Sequence, residues 1–190
     1  MDWMDLLIAA VAGGVVLFLW NGMAWMGLAH HHGDFDAVPN RAEFEKALGG
    51  VTRRAVFYSV PHFKEFEGGM KSPEYQERWR TGPNAMVVIT DPSQASMGPA
   101  FVRALILDFL EALGLAVALT LVLPGSGDRL IVRIGLFLGL ALFASFPVLA
   151  NLSNWMGFPW RFAFTSTLDK CVGYLLVALA FYLLGTGIPV

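Results

Sequence analysis

Two carboxylates three residues apart, Asp108 and Glu111, lie inside the apolar stretch Pro99–Val122. As a helix, this stretch is about 35 Å long, which is enough to cross a bilayer core of about 30 Å. Residues three apart share a helix face, and ionised side chains near the bilayer midplane should face protein or trapped water. The pair therefore predicts either a proton- or cation-handling site or a structural polar network in which Lys170 or Arg103 neutralises an acid.

A second candidate site is the segment His30-His31-His32-Gly33-Asp34, which directly follows the first apolar run. Imidazole and carboxylate groups bind metals, although adjacent residues diverge and metal sites usually gather ligands from separate elements. No HExxH motif or CxxC pair accompanies the segment. It therefore predicts either a metal site formed by His30, His31, His32 and Asp34 or a solvated, pH-sensitive collar at the membrane surface.

The sequence offers little support for an enzyme. It lacks the GxSxG, GxGxxG and P-loop motifs, and Ser126 lies in a Pro-Gly-Ser-Gly segment that is typical of a turn. Histidine does not occur inside the second, third or fourth apolar run, which disfavours a bis-histidine haem. We therefore expect no cofactor other than a metal ion at the histidine segment.

The composition predicts a membrane protein. Of its 190 residues, 56% are hydrophobic and 15% are charged, whereas about 25% are charged in soluble domains. Thirteen basic residues against fifteen acidic ones leave no basic surface for a nucleic acid. The single cysteine, Cys171, excludes an internal disulfide. The lipid bilayer is therefore the expected partner.

Four apolar runs predict an all-α membrane protein, an antiparallel four-helix transmembrane bundle that forms a single membrane domain. The spans cover about residues 6–29, 99–122, 130–150 and 168–184. The segment Pro124–Asp128 predicts a tight turn between the second and third spans, and the aromatic segment before the fourth predicts an interfacial loop. Gly135 and Gly139 have the GxxxG spacing of a close helix contact.

The chain direction of these spans gathers polar residues at one end of the bundle. The first and third spans leave the membrane there, and the second and fourth enter it. The polar side chains on that side form a predicted funnel, and they are Asn21, Arg103, Asp108, Glu111, Asn151, Asn154, Asp169 and Lys170.

Residues 30–98 form a predicted extramembrane insertion of small mixed α/β structure between the first two spans. Helices are expected over residues 41–48 and 73–80, because each run follows a residue suited to cap a helix. Strands are expected over residues 54–60 and 85–90, which are rich in aromatic and β-branched residues and end near prolines.

Two functional hypotheses follow. The leading one is a non-enzymatic interaction or accessory subunit of a membrane assembly, because a bundle this small leaves aromatic loops and small-residue faces for other subunits or further copies. The alternative is a small proton- or cation-binding or transport protein that uses Asp108 and Glu111, with the histidine segment as an entry collar.

Several segments carry a resemblance, namely WNGMAWMGLAHH, RAVFYSVP, YQERWRTGPNAMVVITDP and NWMGFPWRFAFTSTLDKCVGYLLVALA. With these segments the chain resembles a group of small bacterial four-span inner-membrane proteins without established function. The resemblance implies a multi-pass inner-membrane architecture and no activity. Basic residues tend to precede the first helix in that group, whereas Asp2 and Asp5 stand there in this chain, so the side of the membrane that holds the termini stays open.

Overall fold

The computed structural model of the protein describes residues 3–50, 57–90, 96–122 and 130–185. The chain divides into two compact units, one formed by Met1–Asp36 with Gly98–Val190 and the other by Ala37–Met97. The elements in chain order are α1 (Trp3–Gly22), a π-helical turn (Met23–Gly27), a 3₁₀ helix (Ala29–Asp34), α2 (Arg41–Gly49), β1 (Phe57–Val60), α3 (Pro73–Thr81), β2 (Ala85–Val88), α4 (Met97–Val122), α5 (Leu130–Met156) and α6 (Trp160–Leu183). This order confirms the predicted four-helix bundle with a small mixed insertion.

Within its described residues, the first unit contains four helices that are long and apolar enough to cross a membrane. With its π-helical turn, the first runs from Trp3 to Gly27 and has 25 residues, and α4, α5 and α6 have 26, 27 and 24. Large apolar side chains on their outer surfaces stay uncovered, as Phe143 shows with 81% of its surface exposed. A large contiguous apolar surface is unfavourable in water but favourable against lipid. These exposed side chains therefore indicate a multi-pass membrane protein.

The ends of three helices differ from the prediction. The first span ends at Gly27, because Leu28 is extended and a 3₁₀ helix follows. Helix α5 continues to Met156, so the predicted exit residues Asn151 and Asn154 lie within it. Helix α6 begins at Trp160 rather than at residue 168, because Pro159 provides a start and its carbonyl accepts a hydrogen bond from Ala163 N. The predicted interfacial loop is therefore mostly helical, whereas the predicted turn Pro124–Asp128 lies outside the described residues.

Small residues allow α1 and α4 to approach each other closely. A Cβ atom built on Gly13 would lie 2.8 Å from the Cβ atom of Ala112, and one built on Gly14 would lie 2.8 Å from the Cα atom of Phe109. These distances are shorter than carbon atoms tolerate. The crossing of the two helices therefore requires glycine at both positions of α1.

The core of the first unit lies where α1, α4, α5 and α6 meet. Phe137 of α5 and Phe181 of α6 are fully buried and contact each other edge to face, with ring centroids 5.8 Å apart. Gly135 and Gly139 lie on a different side of α5, where a built Cβ would meet no atom of the described chain within 4 Å. The close contact predicted from their GxxxG spacing is therefore not made within the described part of this chain.

In the second unit, β1 and β2 form an antiparallel pair in which Phe57 faces Val88. Ser72 caps α3 as predicted, because its Oγ accepts a hydrogen bond from Tyr75 N at 3.4 Å. The side chain of Asn40 does not cap α2; this residue adopts a left-handed conformation, and its carbonyl accepts from Glu43 N at 3.0 Å. Residues 54–56 of the first predicted strand lie outside the described residues.

The helix crossing yields a stability prediction. Gly14→Ala places a methyl group against the backbone of α4, so we expect the free energy of unfolding in detergent to fall by about 1–3 kcal/mol. The matched control is Gly114→Ala, because a Cβ at Gly114 meets nothing within 4 Å. Alanine in a helix interior is favoured over glycine, so the control should unfold no more easily than the original protein. Equal unfolding of both variants in a denaturant titration would contradict the close crossing.

Candidate metal centre and polar network

Polar side chains of the first unit contact one another across α1, α4, α6 and the 3₁₀ helix. The described contacts divide into three groups. One joins α1 to α4, one joins α4 to α6, and the third joins the 3₁₀ helix to α6. Each group pairs an acid with a donor from another element, as ionisable groups in an apolar bundle require.

The first group links Asn21 and Asp108. Nδ2 of Asn21 donates a hydrogen bond to Oδ1 of Asp108 at 2.9 Å. Asp108 is buried, with 6% of its surface exposed. Its second oxygen, Oδ2, is buried and has no hydrogen-bond partner among the described residues. Half of this carboxylate is thus satisfied by a neutral amide, and half is left without a donor.

The second group links Glu111 and Lys170. Nζ of Lys170 donates to Oε1 of Glu111 at 2.8 Å and to Oε2 at 3.1 Å. The same ammonium group lies 5.6 Å from the ring centroid of Tyr174, where a cation–π interaction adds to its stabilisation. Both oxygens of Glu111 are therefore engaged by one cation, as the structural interpretation of the acid pair requires.

The third group is centred on Asp169 of α6. Nε2 of His30 lies 2.9 Å from Oδ1 and 3.0 Å from Oδ2 of this carboxylate, and Nε2 of His31 lies 2.6 Å from Oδ2. The backbone carbonyl of Asp169 accepts a hydrogen bond from Nε1 of Trp20 at 2.9 Å. One residue of α6 therefore receives contacts from both α1 and the 3₁₀ helix.

Asp34 orients the inner histidine from the other side. Nδ1 of His31 lies 2.6 Å from Oδ2 of Asp34, whose side chain is fully buried. Nη1 of Arg161 donates to Oδ1 of Asp34 at 2.7 Å, and Nη2 of Arg161 donates to the carbonyl of His30. Arg161 thereby ties the 3₁₀ helix to the first turn of α6.

The ring of His31 has a stacking contact on its face in addition to a carboxylate at each nitrogen. Trp25 stacks on it with centroids 3.9 Å apart and planes inclined by 5°. Burial opposes a charge on the ring, but the hydrogen bonds and charges of Asp34 and Asp169 outweigh it and raise the pKa of His31 above its ordinary value. The ring therefore has a single orientation between two carboxylates.

His30, His31 and Asp169 form a group with metal-ligand geometry. One ligand atom from each residue lies within 4.8 Å of the other two. Two imidazole nitrogens, one carboxylate oxygen and an open fourth position make up a ligand set that zinc uses. Histidine ligands commonly donate their other N–H group to a carboxylate, which is the place that Asp34 occupies beside His31. The donor set thus fits a divalent transition metal.

The structure separates the remaining predicted site residues from these groups. His32 is exposed and lies outside the group of three, although it is adjacent to His31. Arg103, Asn151 and Asn154 are exposed, and Nδ2 of Asn151 donates to the carbonyl of Pro147 in its own helix. The predicted funnel of eight residues therefore reduces to Asn21, Asp108, Glu111, Asp169 and Lys170.

Sequence reasoning missed the link between the histidines and Asp169, which stand 138 and 139 positions apart. It also missed Arg161, because the segment before residue 168 was expected to be a loop. A helical start at Pro159 would have placed Arg161 and Asp169 two turns apart on one helix. Trp20 and Trp25 also contact this group, and no local signal in the sequence assigns them these partners.

Comparisons with models of protein families, with curated proteins and with solved structures find no match to this chain. The geometry of the site therefore carries the functional argument.

The ion pair between Glu111 and Lys170 yields a second prediction. Lys170→Met or Glu111→Gln alone leaves one partner without its counterpart in a partly buried position, so each should lower the free energy of unfolding in detergent. The double variant removes both, and we expect a coupling energy of about 0.5–3 kcal/mol from the cycle. A coupling energy near zero would show that the contact contributes nothing to the bundle.

Proposed function

We propose that this protein is an integral membrane protein that binds one divalent transition-metal ion, with zinc as the best chemical match. The ligands are Nε2 of His30, Nε2 of His31 and the carboxylate of Asp169. The observation that carries the proposal is the convergence of these three atoms, within 4.8 Å, from two separate elements. Asp34 takes the outer position that fixes the ring of His31.

The same arrangement that forms the hydrogen bonds can hold a metal ion in their place. The rings of His30 and His31 lie 4.4 Å apart, and both direct Nε2 at the same carboxylate. Each Nε2 can either donate a proton to this carboxylate or, when its ring is neutral and carries the proton on Nδ1, give its lone pair to a metal ion. A proton on Nδ1 of His31, donated to Asp34, leaves the lone pair of Nε2 available for a metal.

The metal site is preferred over the predicted site for a proton or small cation between Asp108 and Glu111. Both oxygens of Glu111 already contact Lys170, so the two acids do not share a vacant position. At the histidine site, the side chain of His30 is 30% exposed, which leaves a route for an ion to arrive from water. A bound ion would have an open position for a water molecule or an anion.

The setting of this function is also part of the proposal. On the strength of the resemblance in sequence, we place the protein in the bacterial inner membrane. Assembly with further copies or with other membrane subunits is supported by the open face of α5 around Gly135 and Gly139. A role as an accessory subunit is compatible with metal binding and stays a prediction.

Metal content tests the proposal directly. The full chain, purified in detergent with a tag that contains no histidine, should bind one equivalent of Zn²⁺ by elemental analysis after dialysis against the metal. His30→Gln, His31→Gln and Asp169→Asn should each weaken Zn²⁺ binding at least about tenfold, because each removes a ligand atom. The matched control is His32→Gln, which alters the exposed neighbour and should bind as the original protein does.

Three results would contradict the proposal. The first is original protein without bound Zn²⁺ after dialysis. The second is an equal loss of Zn²⁺ in His32→Gln, which would indicate loose surface binding. The third is Asp169→Asn that unfolds at a lower temperature yet retains its metal, which would make the cluster a support between helices and place the ion elsewhere.

Asp34 provides a separate prediction about the support of the site. Asp34→Asn leaves all three ligand atoms in place but replaces the charged acceptor beside Nδ1 of His31, so the ring becomes a weaker ligand. We expect Zn²⁺ affinity to fall by about 10- to 100-fold with one equivalent still bound at saturation. Competition with a chromophoric chelator measures the affinity, and an unchanged affinity would remove Asp34 from the site.

A further inference from the structure

An open groove lies between α1 and α4, beside the polar network. The two helices touch at Gly13 and Gly14, and residues nearer the C-terminal end of α1 line the groove, which has a volume of about 970 Å³. This volume lies in the range of small-molecule sites, about 300–1,000 Å³. Its walls are mostly apolar and include Phe18, Trp25, Met26, Phe101 and Leu107.

The polar part of the groove is acidic. Asp108 and Glu111 both line it, together with the neutral amide of Asn21. Lys170 pairs with Glu111 and its charge also acts on Asp108, so the two acids share this cation, and the described hydrogen-bond partner of Asp108 is the neutral amide of Asn21. Oδ2 of Asp108 is buried and lacks a donor among the described residues. A buried acceptor without a donor costs free energy, so a ligand that supplies a hydrogen-bond donor would be stabilised in the groove.

We propose that this groove binds a lipophilic organic cation that carries an N–H group, with the carboxylate of Asp108 as its counter-ion. The N–H group would donate to the carboxylate of Asp108, and the positive charge would compensate the acid. The rings of Phe18, Trp25 and Phe101 would contact the apolar and aromatic body of the ligand and stabilise its charge through cation–π interactions.

Other occupants fit the groove less well. An anion would meet two carboxylates. A lipid acyl chain or an apolar face of a second copy would cover the aromatic walls but would leave Oδ2 of Asp108 without a donor. A small hydrated metal ion would make no favourable contact with the apolar walls. Two acids that share the charge of Lys170, together with aromatic walls, therefore favour a protonated, membrane-soluble amine.

The proposal does not depend on the metal site, because Asp108 and Phe101 are not ligands of that site. The two failures are also distinguishable, since one is read from Zn²⁺ content and the other from binding of an organic dye. Trp25 is common to both places, because it stacks on His31 and lines the groove. It is therefore left unchanged in the variants below.

The test uses proflavine, a fluorescent aromatic cation with N–H donors, and the full chain in phosphatidylcholine nanodiscs, with empty nanodiscs subtracted. We expect saturable binding by fluorescence anisotropy. Asp108→Asn keeps the shape of the side chain and the contact with Asn21 but removes the charge, so it should weaken proflavine binding at least about tenfold. Glu74→Gln is the matched control, because this exposed acid lies in the other unit and should have no effect.

A second variant and a second dye keep the test decisive. Ala104→Phe fills the groove without changing its charge and should also weaken proflavine binding. Anthracene, a neutral ring system of similar shape, should bind weakly and equally to the original protein and to Asp108→Asn. An unchanged elution volume in size-exclusion chromatography and an unchanged unfolding temperature would show that each variant is folded.

The proposal is overturned if the original protein shows no saturable proflavine binding. It is also overturned if folded Asp108→Asn and the original protein bind the dye equally, or if anthracene binds as tightly as proflavine. The last result would make the groove a non-specific apolar surface for lipid.

Discussion

An ionisable side chain inside an apolar bundle needs a partner from another element, because neither lipid nor an apolar core can solvate it. In this protein the requirement is met by pairs that join helices distant in sequence. Glu111 of α4 takes Lys170 of α6, and Asp169 of α6 takes both His30 and His31. The pairs therefore hold α4 and the 3₁₀ helix at a defined position along α6.

Asp169 has a special position among these residues. Its carboxylate receives two imidazole groups and its carbonyl receives the indole N–H of Trp20. An ion bound between the imidazoles and this carboxylate would therefore be held by the same residues that hold the 3₁₀ helix against α6. Trp25 extends the connection to the groove, since it stacks on His31 and also forms part of the groove wall.

The four spans could be predicted from the sequence because length and apolar composition suffice to define a helix that crosses a bilayer. Helix ends were harder. Tryptophan and phenylalanine before residue 168 are typical of an interfacial loop and also of a helix that starts early, and only Pro159 distinguishes the two. For this reason Arg161 was not predicted to belong to the site. Asp169 was predicted at the start of the fourth span, whereas it lies within α6.

The partner of each polar residue could be predicted only in part. The sequence predicts that Lys170 or Arg103 neutralises an acid, because both lie at the same end of the bundle as the acids, and the structure pairs Lys170 with Glu111. Asn151 and Asn154 share that end but are exposed. The rotation of α5 about its axis decides which of its residues face the other helices, and this rotation cannot be derived from an evenly apolar sequence. The meeting of His30 and His31 on one carboxylate depends on the extended residue Leu28, which redirects the chain after the first span.

X-ray absorption at the zinc edge, recorded on the zinc-loaded full chain, shows which atoms coordinate the bound ion. We predict a first shell with two imidazole nitrogens and carboxylate or water oxygens at about 2.0–2.2 Å, without sulfur. A first shell of oxygen atoms alone, or one that contains the sulfur of Cys171, would contradict a metal centre at His30, His31 and Asp169.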